Sequence, residues 1–128
     1  MATWTAVKQY VKSNYRVADE ADEVLKFIFS TSDGRSQMVL LVRYEMAGTE
    51  WIEIGSPIGK CDNVDLKDVL RAANEYVVGG VVLEGETLVL RHTVPLLNLD
   101  ANELEDPLQS IVIAADAIEK KVFIVDQY

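Results

Sequence analysis

The chain has 128 residues, of which 49% are hydrophobic and 26% charged; 12 Lys and Arg face 21 Asp and Glu, a formal net charge of −9. That length and apolar content suit one domain over residues 1–128 and exclude a disordered chain, which needs low hydrophobicity as well as high charge. The acidity excludes nucleic acid and anionic membrane as partners, both of which call for clustered cations, and favours cationic or neutral partners.

Trp4, Val7, Val11 and Tyr15 recur at spacings of three and four, which predicts an N-terminal helix with Thr3 or Thr5 at its cap. Val17 to Glu23 reads as an acidic connector. Three strands follow over Val24–Thr31, Gln37–Met46 and Thr49–Ile54, rich in β-branched and aromatic residues. Asp33-Gly34 and Ala47-Gly48 mark the tight reversals between them, so neighbours are antiparallel. Gly55, Pro57 and Gly59 read as the end of the third strand.

Asn63 or Asp65 caps a second helix with the stripe Leu66, Val69, Leu70, Ala73 and Val77, stopped at Gly79-Gly80. A hairpin then pairs Val81–Glu84 with Thr87–Val94 across Gly85-Glu86. Asp100 and Glu103 have the spacing of a capping box, yet Pro107 lies where it disrupts a running helix. The expectation is either a short turn before the main helix or a helix capped by Asp106 with Pro107 at its first position. Its stripe is Leu104, Leu108, Ile111, Ala115, Ile118 and Val122, and Phe123-Ile124-Val125 forms an apolar tail that packs back. The expected fold is α+β, in the order α-β-β-β-α-β-β-α, with helices on one face of a five-stranded antiparallel sheet.

Strand side chains alternate between faces. Leu25, Phe27, Phe29, Met38, Leu40, Val42, Tyr44, Ile52, Ile54, Leu88 and Leu90 are assigned to the covered face. The other face carries Val24, Ile28, Val39, Leu41, Trp51 and Val89 between Lys26, Arg43, Glu53 and Arg91. A solvated face is normally more polar, so this one is a candidate contact surface, with Val39, Leu41, Arg43, Trp51 and Val89 as partner-binding residues.

No catalytic or cofactor pattern stands out. His92 is the single histidine and Cys61 the single cysteine, and neither has a triad or metal-site partner in view. One cysteine permits no intramolecular disulfide. The acidic clusters Asp19-Glu20-Asp22-Glu23 and Glu103-Glu105-Asp106 lack EF-hand spacing. No phosphate-cradling, CxxC or GxSxG motif is present. Neither enzyme activity nor a cofactor or metal is expected. The N-terminal residues have no signal-peptide pattern and the longest apolar run, Met38 to Val42, is too short for a bilayer, so a cytoplasmic location is the expectation.

The element order, with Leu88-Val89-Leu90-Arg91-His92-Thr93-Val94-Pro95-Leu96 and then Leu99-Asp100-Ala101-Asn102-Glu103-Leu104 opening the last helix, resembles the YbjN-type proteins. Those are similar in fold to class I type III secretion chaperones of the Tir chaperone type. The resemblance implies a small acidic protein that regulates sensory transduction or binds peptides, and the secretion chaperones are dimers that hold an extended client segment. It supplies no catalytic residues. The reading is a non-catalytic chaperone-like protein, a homodimer that binds a polypeptide segment or partner protein. A small-molecule-sensing domain with a pocket near Tyr44 and His92 is the alternative, and an enzyme with an unrecognised site, such as Cys61 meeting His92, is a third.

Overall fold

The computed structural model describes residues 2–31 and 34–123. Its elements are α1 (Trp4–Asn14), β1 (Val17–Ala21), β2 (Val24–Ser30), β3 (Ser36–Met46), β4 (Thr49–Lys60), α2 (Leu66–Ala73), β5 (Gly80–Glu84), β6 (Thr87–Pro95) and α3 (Ala101–Val122). The sheet is antiparallel with strand order β1-β2-β3-β4-β6-β5. The α+β class holds, but the sheet has six strands where five were expected.

The added strand is β1, cut from the stretch read as a connector. Asp and Glu are poor strand formers, which hid it. It is an edge strand, where charge is useful because it discourages pairing with other chains. Glu20 also bonds across to α1, at 2.6 Å from Lys12 Nζ and 3.5 Å from Lys8 Nζ.

The third strand does not stop at Gly55. β4 runs to Lys60, with a bulge between Pro57 and Gly59. Its ladder to β3 ends at the Leu40–Gly55 pair, and side chains take over beyond it. Ser56 Oγ donates to the Met38 carbonyl at 2.6 Å and Gln37 Nε2 donates to the Pro57 carbonyl at 2.9 Å. Those bonds carry the pairing past a proline that has no N–H to give.

Two helix boundaries also differ from expectation. α2 is capped by Asp65, whose side chain accepts from Lys67 N–H, but it ends at Ala73, well before Gly79. Only Val69 and Ala72 of it are buried, and Val77 is fully exposed. α3 starts at Ala101, where Glu103 Oε1 accepts from Asp100 N–H at 2.8 Å, and runs straight through Pro107. Neither the separate turn nor the Asp106 cap exists. Leu104 and Leu108, both fully buried on either side of the proline, hold the helix together by packing.

The core lies between the sheet and the three helices. Val7 and Val11 of α1 and Leu104, Leu108, Ile111, Ala115 and Ile118 of α3 meet Leu25, Phe27, Val39, Leu41, Ile52, Ile54 and Leu90. Tyr10 and Tyr15 tie α1 to α3 by both donating to the Glu105 carboxylate. Phe123 closes the end of the core and passes directly over Gly59, where a Cβ would sit 2.4 Å from its ring. The expected turn residues Ser32 and Asp33, and Ile124 and Val125 of the expected tail, lie outside the described residues.

Candidate functional site

The helices cover one face of the sheet and leave the other open. The hairpin between β3 and β4 decides which residues point where. Ala47 and Gly48 both have positive φ, 54° and 80°, which makes a two-residue turn of the kind that suits twisted strands. It pairs Met46 with Thr49, Tyr44 with Trp51, Arg43 with Ile52 and Leu41 with Ile54. Leu41 therefore points the same way as Ile54, into the core.

This reverses the expected faces of β3. Val39 and Leu41 are fully buried beneath the helices and are not on the open face. Met38, Leu40, Val42 and Tyr44, assigned to the core by alternation, lie on the open face. Of the five residues expected to bind a partner, the structure leaves Trp51 and Val89 on that side, and Val89 is buried there at 8% exposure. Arg43 points to the helical side, beyond the helices, with Glu23, Glu45 and Glu50 around its guanidinium at 3.2, 3.4 and 2.7 Å. The bond to Glu50, and after it the bond to Glu23, raises its pKa.

The open face is apolar for a solvent-facing surface. Ile28 is 51% exposed, Tyr44 47% and Met46 67%, with Met38, Leu40, Val42 and Trp51 half-buried between them. A concavity of about 550 Å³ sits at one end, lined by Tyr44, Glu45, Met46, Trp51, Glu53, Arg91 and Thr93. Glu53 is buried there, 3.4 Å from Arg91 Nη1. Burial raises its pKa and the Arg91 charge opposes that rise. Burial also raises the pKa of Tyr44, helped by the neighbouring Glu53 charge. Trp51 Nε1 is buried without a hydrogen-bond partner among the described residues.

The other sequence candidates do not converge. His92 pairs opposite Ile54 and so faces the helices, whereas Tyr44 faces away from them. The expected pocket between those two does not form. Cys61 follows β4, where its backbone N–H bonds to the Glu86 carbonyl and its thiol donates to the Glu86 carboxylate at 3.4 Å. Glu86 raises the thiol pKa, the opposite of activation. Along β6, Thr87, opposite Lys60, lies five residue steps from His92, a distance of roughly 16 Å. The two side chains do not meet. No cluster of three or more His, Cys, Asp or Glu suited to a metal exists among the described residues. No helix is long and apolar enough to cross a membrane among them.

An apolar sheet face thus lies open opposite the three helices. The family model CesT_Tir_1 matches residues 1–125. The chain belongs to the CesT/Tir family of type III secretion chaperones, which includes the YbjN-like proteins. The match covers every residue described above. No curated protein matches the chain. Membership supports a chaperone-like, partner-binding role in general, in a family that is not enzymatic.

Proposed function

We propose that this protein is a non-catalytic chaperone-like module that holds an extended segment of a partner polypeptide on the open face of its sheet. The observation that carries this is the apolar row Ile28, Leu40, Val42, Tyr44, Met46 and Trp51 on a face that no helix covers. Contiguous exposed apolar surface of this kind is uncommon on a protein with no partner. Trp51 and Val89 remain contact residues in this reading, and Tyr44, Leu40 and Val42 replace Leu41 and Val39.

The protein acts as a homodimer in this proposal. A second exposed set supports that part: Leu66 and Leu70 of α2, 50% and 58% exposed, and Leu83 of the edge strand β5, 56% exposed. A dimer made there leaves the open face free. Light scattering across a dilution series tests both parts. Wild type is expected to be dimeric and Leu70→Ser monomeric, whereas Trp51→Ala stays dimeric but loses binding of an extended apolar peptide. A Trp51→Ala protein that becomes monomeric, with peptide binding intact, would put the dimer on the sheet face and end the proposal.

A further inference from the structure

The concavity at the end of the open face combines three features seldom found together on a sheet surface. Tyr44 and Trp51 stand directly opposite each other across β3 and β4, and both line the concavity. Glu53 lies two residues along β4 from Trp51, on the same face, with its side chain 9% exposed. Gly55 continues that row without a side chain, and Glu53 Oε2 lies 3.8 Å from where a Cβ on Gly55 would be. The carboxylate thus lies next to Arg91 and to the Gly55 backbone, whose missing side chain leaves Val89 Cγ1 3.4 Å from the same point.

Arg91 does not satisfy Glu53 fully. Its Nη1 stands 3.4 Å from Glu53 Oε1, longer than a charge-assisted hydrogen bond of about 2.7 to 2.9 Å. Its side chain is 41% exposed, so it has room to turn outward. The buried Trp51 Nε1–H beside it is a donor with no acceptor among the described residues. A buried carboxylate in a concavity that two aromatic side chains also line attracts a cation by charge and by the rings together.

We propose that this concavity is a specificity subsite for a basic side chain, an arginine or lysine of the bound polypeptide, with Glu53 as its counter-ion. The cation lies in the concavity that Tyr44 and Trp51 line, next to the Glu53 carboxylate. Arg91 is then an internal competitor that holds the carboxylate when no partner is bound. The net charge of −9 draws basic segments to the surface in the first place. This rests on the open-face reading above and adds the chemistry of the residue that face selects.

The test uses two blocked tripeptides on the full chain: acetyl-Val-Arg-Val-amide, and the same peptide with neutral citrulline in place of arginine. The readout is the indole N–H resonance of Trp51, with that of Trp4, which donates to the Asp22 carbonyl, as internal control. The arginine peptide is expected to move the Trp51 signal and leave Trp4 unmoved, with affinity about tenfold above the citrulline peptide. Glu53→Gln removes that preference. Arg91→Gln, which frees the carboxylate, binds the arginine peptide several-fold tighter, a gain that misfolding does not produce. Equal affinity for the two peptides would overturn the basic subsite and leave the open-face reading standing. No movement of Trp51 or of other open-face signals at millimolar peptide would overturn both.

Discussion

The two faces of this sheet are built from nearly the same residue types and do opposite things. On β3, Val39 and Leu41 point into the core and are fully buried, whereas Met38, Leu40 and Val42 point outward and are half-buried. Val and Leu occur on both sides. What separates the faces is where the helices lie, and α1, α2 and α3 all lie on one side. Apolar content alone therefore marks a core and an open face equally well, and only long-range packing distinguishes them.

Neighbouring leucines put that comparison to its hardest test. Leu41→Ala opens a cavity under α3 and is expected to cost about 2 to 5 kcal/mol. Leu40→Ala, one residue away on the open face, should cost less than half as much, because its side chain is not enclosed. Urea denaturation midpoints of the two variants measure the difference. Equal losses would mean that something covers the open face in the isolated protein.

A smaller effect is expected where the core ends. Gly59→Ala puts a methyl group against the Phe123 ring, 2.4 Å from its nearest atom, at a residue whose φ of 153° disfavours a side chain. The cost should be about 1 to 3 kcal/mol. In a Phe123→Ala background the same substitution should lose most of its effect, since the ring it meets is gone. A double-mutant cycle measures this coupling, and additive losses would place the strain in the backbone of β4 instead.

Much of this was readable from the residues, and the errors have physical causes. The periodic stripes of α1 and α3, the hairpins at Ala47-Gly48 and Gly85-Glu86, and the α+β order all came from local signals that the packing left intact. β1 was missed because its acidic residues suit an edge strand and not a buried one. The face of β3 was misassigned although the signal was present. A two-residue turn at Ala47-Gly48 forces Tyr44 opposite Trp51 and Leu41 opposite Ile54, so Leu41 and Ile54 had to share a face. Alternation within one strand does not fix which face is buried; the register carried across the turn does. The concavity around Glu53 had no local signal, because it joins β3, β4 and β6 through pairing alone.

The smallest expected effect concerns the helical side, where the polar contacts are structural and not for binding. Tyr10 Oη donates to Glu105 Oε1 at 2.6 Å, Tyr15 Oη donates to Glu105 Oε2, and Gln109 Nε2 donates to Tyr15 Oη at 3.0 Å. The bond to Glu105 raises the pKa of Tyr10 to about 12, and burial followed by that same carboxylate raises Tyr15 to about 12. A tyrosine with a folded pKa above its unfolded value near 10 holds its proton more tightly in the folded state. Its contribution is complete below about pH 10 and is lost as the pH rises towards about 12. Replacing both with Phe should cost on the order of 1 kcal/mol at neutral pH, less than buried charged hydrogen bonds cost because the site is partly open to water. The variant should also lose less stability than wild type between about pH 9 and pH 11.5, a comparison that cancels the lysines titrating in the same range. Peptide binding on the open face should not change, because the clamp sits on the opposite side of the sheet. If it did change, the helices and the binding face would be coupled through the strands between them, and the division of labour between the two faces would fail.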